Sequence, residues 1–368
     1  MKKLIKILAG LTLFLVVGAT AFWYGGGMTL AARLMAPSFP DLPAPVSQLD
    51  EGQKGLIYFP SNTPFDLDVM LAKGTDSAAS TGMGTLFLPE NIQPGEQVPA
   101  VVLVHGSGGI SPGREMEYGE LLAENGYAAF VVDYYRPRGG EEGVSYMRLV
   151  LSVTEFDAIA DAYNALKVLR THPQINPDKI AVAGYSYGGM AARFAMDERI
   201  REAMMDSDPG FAVNVDYYGP CFQNLQSSAT TGAPILTLRG TEDNSNELSA
   251  CTKREEELKQ LGSEVETYVF DGVGHSWDIN LPLTMTTTPY VAGCEVLYEE
   301  NGHSKLNGQY IVDFPVEASR YERIANRILS ANIFGDCVGE GYLVGSDPET
   351  KAKTDALLLA FLNKNLKG

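Results

Sequence analysis

From about residue 55 onward the chain alternates between short apolar runs and amphipathic stretches. Ile57–Phe59, Leu67–Leu71 and Thr85–Leu88 predict short N-terminal strands, antiparallel to one another. Ala100–Val104 is a continuous apolar run ending in His105-Gly106-Ser107-Gly108-Gly109. That pattern suits a strand buried on both faces and followed by a tight turn. A helix is predicted over 114–124, a strand over Tyr127–Asp133, and a long helix over Leu151–Leu169, whose apolar residues recur at helical spacing. Lys179–Ala183 predicts the next strand, then a helix from about Gly189, and strands at Ala212–Tyr217 and Pro234–Leu238. A charged helix over 247–261 precedes a last strand at Glu264–Phe270, and a helix pattern near 350–365 closes the chain. Strands alternating with helices of this size imply an α/β fold: a mostly parallel central sheet with helices on both faces.

The first 54 residues break this rhythm. Lys2, Lys3 and Lys6 are followed by no charged residue until Arg33, and the most apolar part runs from Ile7 to Trp23. A positive start followed by an apolar core predicts a secretory signal, with Ala19-Thr20-Ala21 as a small-x-small cleavage site. Phe22, Trp23 and Tyr24 resemble an interfacial aromatic belt, which predicts instead an uncleaved signal-anchor over residues 1–35, held in the membrane through residues 7–32. Both outcomes place the rest of the chain outside the cytoplasm, periplasmic or extracellular, because the lysines stay inside. Residues 36–54, rich in Pro and acidic side chains, predict a linker. Residues 55–368 are expected to form one domain.

Composition narrows the function classes. The 368 residues are 45% hydrophobic and 20% charged, too apolar for a disordered chain. Only one long apolar run is present, so a polytopic membrane protein is excluded. A formal charge of −18 argues against nucleic acid as a partner, since both surfaces would repel. The four cysteines, Cys221, Cys251, Cys294 and Cys337, show no CxxC spacing, so a zinc or thioredoxin-type site is not expected.

Candidate chemistry begins at Gly184-Tyr185-Ser186-Tyr187-Gly188-Gly189, directly after one predicted strand and before a helix. A sharp strand-to-helix turn needs small residues around its central serine, and it exposes that hydroxyl at a helix N-terminus. A nucleophilic serine needs a base, and there are four histidines. His105 lies in the Gly-rich turn, His172 in a His-Pro connection, and His303 in an Asn/Gly-rich stretch. His275, in Asp271-Gly272-Val273-Gly274-His275-Ser276-Trp277, falls just past the last strand. The third member must orient His275 and lie between it and Ser186 in the chain. Gly240-Thr241-Glu242-Asp243 follows a predicted strand, and Asp243 is preferred to Glu242. Backbone N–H donors for an oxyanion are expected from Tyr187, the residue after the serine, and Ser107, in the first Gly-rich turn. That turn lacks both GxGxxG and a phosphate-loop lysine, so it is not read as a nucleotide site.

These residues resemble the α/β-hydrolase superfamily and, within it, the dienelactone hydrolase family. The resemblance covers roughly residues 85–280 and rests on VVLVHGSGG, AENGYAAFVVDYYRPRG, INPDKIAVAGYSYGGMAA, LRGTEDN and VFDGVGHSWD. It implies an α/β-hydrolase fold and a small-molecule ester or lactone substrate, with no cofactor and no metal. It also implies that Ser186 is the nucleophile, Asp243 the acid and His275 the base. Dienelactone hydrolases proper carry cysteine at the nucleophile position, so Ser186 favours a general carboxylester hydrolase. A serine peptidase and a non-catalytic binder of the same fold are the alternatives; a pure binder has no need of the triad and the oxyanion turn together.

Ninety-three residues follow His275, where one closing helix would suffice. The stretch 279–345 is therefore read as an insertion, either a cap beside the site or a surface elaboration, stapled by Cys294–Cys337. Cys221 follows one predicted strand and Cys251 follows the acid loop of its neighbour, so Cys221–Cys251 is the companion bridge. Tyr134, Tyr135, Arg136 and Trp277 at strand ends are candidates for shaping substrate binding or for aromatic packing.

Overall fold

A computed structural model of the 368-residue chain describes residues 26–141 and 143–368. Nine strands organise the body: β1 (Gly55–Thr63), β2 (Ala78–Phe87), β3 (Val98–Val104), β4 (Ala128–Val132), β5 (Ile175–Tyr185), β6 (Val213–Tyr217), β7 (Gln223–Asn224), β8 (Ile235–Gly240) and β9 (Val265–Phe270). All except β7 join one eight-stranded sheet in the order β1-β2-β4-β3-β5-β6-β8-β9. β1, β2 and β4 pair antiparallel; from β4 through β3, β5, β6 and β8 to β9 every pairing is parallel.

The apolar runs explain this arrangement. Every residue of β3, β4, β6 and β8 is buried, as expected of strands covered on both faces. Successive side chains point to opposite faces. Val102, Val104, Phe130, Val132, Ile180 and Val182 therefore pack with the helix Glu155–Leu169. Val101, Leu103, Ala129, Val131, Ala181 and Ala183 pack on the other side with Leu122 of Glu115–Glu124 and with Leu358, Phe361 and Leu362 of Pro348–Leu362.

Two predicted elements are corrected. Leu67–Leu71 is not a strand but the start of the helix Leu67–Lys73. Leu67 and Met70, one helical turn apart, are buried, and Asp68 is held by Arg323 Nη1 and Nη2 at 2.8 and 2.9 Å. The long helix predicted from Leu151 is two, Tyr146–Ser152 and Glu155–Leu169. Thr154 interrupts them because its side chain caps the second helix in a reciprocal box with Asp157.

Of the N-terminal segment, Gly27–Met35 is a short helix whose Ala32 is buried in a small cluster with Ile324 and Ala325. The apolar run predicted as signal or anchor lies otherwise outside the described residues. Among the described residues, no helix is long and apolar enough to cross a membrane. Residues 36–54 form no regular element, but they are tied to the body. Leu49 is buried, its N–H donates to Thr171 Oγ1 at 3.0 Å, and the Val46 N–H donates to the Tyr58 carbonyl.

The stretch 279–345 holds β10 (Thr284–Met285), β11 (Pro289–Val291), β12 (Val296–Tyr298), β13 (Ser304–Leu306), β14 (Gln309–Val312), the helix Arg320–Ser330, β15 (Val338–Glu340) and β16 (Leu343–Val344). β7 leaves the main sheet to join β12, β13 and β14. Arg323 also binds Asp66 Oδ2 at 2.8 Å, so a buried guanidinium between two carboxylates pins the helix Arg320–Ser330 to the body. Both cysteine pairs are bridged: Cys221–Cys251 beside the β8 loop, and Cys294–Cys337 within the stretch 279–345.

Candidate active site

β5 ends at Tyr185 and the next helix begins at Tyr187, so the chain reversal falls on Ser186 alone. Its φ of 54° and ψ of −117° are costly for a residue with a side chain and persist only where the surroundings fix them. The surroundings do so sterically. A Cβ on Gly184 would lie 1.9 Å from the Gly188 carbonyl oxygen, and one on Gly189 would lie 2.5 Å from Asp216 Oδ1. The Ser186 N–H donates to the Tyr217 carbonyl at 2.9 Å, which ties the turn to the end of β6. Asp216, one residue before, is buried and accepts from Arg193 and from Arg239 Nη2. Burial alone would raise its pKa, but the two guanidiniums and the Gly219 N–H hold it below the usual carboxylate range.

Ser186 Oγ stands 2.8 Å from His275 Nε2, and His275 Nδ1 stands 2.6 Å from Asp243 Oδ2. Asp243 lies in the turn after β8 and is buried. Ser245 Oγ donates to its Oδ1 at 2.5 Å and Asn246 Nδ2 to its Oδ2 at 2.7 Å. Burial pushes this carboxyl upward, yet His275, Ser245 and Asn246 together bring its pKa below normal. An ionised Asp243 can only accept, so the His275 proton sits on Nδ1 and Nε2 is free to accept from the serine hydroxyl. Glu242, the rejected alternative, is exposed.

The Gly-rich turn after β3 comes up beside the serine. A Cβ on Gly106 would lie 3.2 Å from Ser186 Cβ. Tyr134 donates to the His105 and Gly106 carbonyls at 3.2 Å, and Tyr135 donates to the Ser107 carbonyl at 2.9 Å. With those carbonyls engaged from behind, the Ser107 N–H has no hydrogen-bond acceptor among the described residues. The Tyr187 N–H opens a helix and has no acceptor within it. The Tyr187 N–H therefore adjoins Ser186 in the chain, and the turn that carries Ser107 lies beside it through Gly106.

Residues 84–291 match the family model described as the dienelactone hydrolase family, more than half of the chain. The chain belongs to that family. Similarity to individual known proteins is distant. An uncharacterized peptidase of Bacillus subtilis (strain 168), YuxL, is 22% identical over 277 residues, covering 64% of this chain and 40% of its own. A Bradyrhizobium protein named "Probable 2-oxo-3-(5-oxofuran-2-ylidene)propanoate lactonase" is 25% identical over 172 residues, covering 42% of this chain and 64% of its own. The chain therefore spans less than two thirds of the length of either. Among solved structures, Thermogutta terrifontis esterase 2 with bound propionate is 20% identical, with a TM-score of 0.43, 56% of this chain covered and 83% of the other.

Tyr134 and Tyr135 support the Gly-rich turn from behind, with Tyr134 stacked on His105 at 3.9 Å between centroids. Arg136 is exposed. Trp277 takes the packing role: it is buried in the core and donates from Nε1 to Thr354 Oγ1 at 3.2 Å. His172 and His303 take no part in the site; His172 binds the Gln53 carbonyl and Gln174 N–H.

Several residues at the site were not anticipated. Tyr218, with φ of 40°, meets the His275 ring edge-on at 4.8 Å. Tyr146 brings its hydroxyl to 3.2 Å from Ser107 Oγ. From the stretch 279–345, Arg327 reaches the Tyr187 hydroxyl at 3.5 Å, and Tyr342 meets the His275 ring at 5.4 Å. Only Ser245 and Asn246 had a local signal, since short polar side chains beside an acid in a turn commonly bond it.

Proposed function

We propose that this chain is a serine hydrolase of carboxylic esters or lactones, acting through Ser186, His275 and Asp243 by an acyl-enzyme. The observation that carries the reading is the continuous 2.8 and 2.6 Å chain from Ser186 Oγ through His275 to Asp243, set at a strained turn. As Ser186 Oγ attacks the substrate carbonyl carbon, its proton passes to His275 Nε2 and the carbonyl electron pair moves onto oxygen. Asp243 stabilises the imidazolium that forms. The Tyr187 and Ser107 N–H groups receive the oxyanion, each worth roughly 10²–10³ in rate. Collapse breaks the bond to the alkoxide, which takes the proton from Nε2 and leaves an ester on Ser186. Water then gives a proton to His275 and attacks that ester, and a second collapse releases the acid and restores the Ser186 hydroxyl.

Membership of a family named for lactone hydrolysis, and the name of the Bradyrhizobium relative, favour esters and lactones as substrates. The name of the Bacillus relative favours peptides as the second reading. A panel of p-nitrophenyl esters, lactones and peptide p-nitroanilides separates the two: turnover of esters or lactones alone supports the first, and preferential amide cleavage replaces it with the second. We further infer export, with residues 1–35 as signal or anchor and 279–345 as a cap. Two disulfides fit an oxidising compartment.

A further inference from the structure

The insertion is bound directly to the backbone of the histidine, beyond the matched family region. The His275 N–H donates to the Leu343 carbonyl at 2.7 Å, and the Gly345 N–H donates back to the His275 carbonyl at 3.1 Å. This pairs His275 with Val344 as an isolated parallel bridge. The approach is tight, since a Cβ on Gly274 would lie 2.5 Å from the Leu343 carbonyl oxygen. One residue earlier, the Tyr342 ring stands at 80° to the imidazole, while Tyr218 from the body meets the same ring at 63°. The imidazole is thus bordered by one tyrosine from the body and one from the insertion. The Tyr342 segment is itself fixed. β16 pairs with β10, the Tyr342 carbonyl accepts from the Thr286 N–H at 2.9 Å, and β15 pairs with β11 next to the Cys294–Cys337 bridge.

We propose that Tyr342 and the backbone of Leu343–Gly345 form a positioning element for His275, so that the insertion sets the geometry of the base. This rests on the reading of His275 as the base of Ser186. Backbone bonds fix the height of the histidine loop, and the Tyr342 ring limits rotation of the imidazole away from Ser186 Oγ. The hydroxyl of Tyr342 takes no part in this.

The test uses the full chain and two readouts. Ser186 is labelled with diisopropyl fluorophosphate, a small probe whose rate reports activation of the serine, and kcat and KM are measured on p-nitrophenyl acetate. Tyr342→Ala is expected to lower the labelling rate and kcat together, by roughly 10–100-fold for a misplaced base, with KM within about twofold. Tyr342→Phe keeps the ring and should restore both. Gly345→Ala is the second variant: at φ +126°, with its Cβ 2.4 Å from the Pro282 carbonyl oxygen, it must displace the segment, and it should show the same split. Should Tyr342→Ala fail to fold, Tyr342→Leu and Gly345→Ala carry the same expectation. A folded Tyr342→Ala or Gly345→Ala that labels at the wild-type rate, or that raises KM alone, overturns the proposal. A wild-type chain that does not label at all overturns the triad reading instead, and this inference with it.

Discussion

Gly188 packs against Val104 so closely that a Cβ on Gly188 would lie 2.1 Å from the Val104 carbonyl oxygen. The Ser186 turn and the strand leading to the Gly-rich turn are therefore in backbone contact, and the spacing between Ser186 and that Gly-rich turn depends on a missing side chain. Gly188→Ala must separate them. Overpacking of this kind costs about 1–3 kcal/mol, and the expected result is a lower Tm together with loss of most ester turnover. Thermal unfolding and kcat/KM on one ester check both.

Asp243 titrates below its unfolded value of about 3.9. A carboxyl lowered in this way stabilises the fold when ionised; the contribution is fully present above the unfolded pKa and is lost as pH falls through the folded one. Tm should therefore decline below about pH 4, with a shallower decline in Asp243→Asn. The same variant presents an amide to His275 Nδ1, which disfavours the tautomer the serine needs. Its kcat should fall on the order of 10⁴ while the fold persists at pH 7.

Asp278 has the opposite sign. It is buried, with Tyr218 donating to Oδ1 at 2.5 Å and no partner for Oδ2 among the described residues. Burial raises its pKa to about 6 against the pull of Arg114. The raised group stabilises the fold below the unfolded pKa and loses that contribution as pH rises through about 6, a change of roughly 3 kcal/mol for two units. Asp66 is raised to about 6 for the same first reason, burial. Asp278→Asn should flatten part of the fall in Tm between pH 4 and 7 and leave the Asp66 part. A pH series of thermal melts on both proteins decides this.

Each disulfide closes a moderate loop, of 30 residues for Cys221–Cys251 and 43 for Cys294–Cys337. Removing either should cost about 2–4 kcal/mol. The first bridge braces the segment after the Asp243 turn, and the second ties the β11–β12 connection to the start of β15. Cys→Ser pairs compared by urea unfolding, with non-reducing peptide mapping of the wild type, check the pairing and the magnitude.

Much of the body was legible because its strands are short apolar runs between turn residues, and β3, β4, β6 and β8 are buried on both faces. Leu67–Leu71 misled because its alternation suits a strand, whereas Asp68 is claimed by Arg323, distant in the chain, and the segment coils to meet it. Of the two roles open to Trp277, packing is the one the fold uses, because Thr354 on the closing helix offers its indole a buried acceptor. Ser186, His275 and Asp243 could be named from local motifs and chain order. Tyr146, Tyr218, Arg327 and Tyr342 could not, since each reaches the site through tertiary packing that no local pattern encodes.

Activation of Ser186 as a nucleophile by His275 is tested by mass spectrometry of the intact chain after reaction with a fluorophosphonate. One adduct on Ser186, absent from Ser186→Ala and strongly slowed in His275→Ala, is the predicted result. A folded wild-type chain that forms no adduct, or forms it on another residue, would contradict the account.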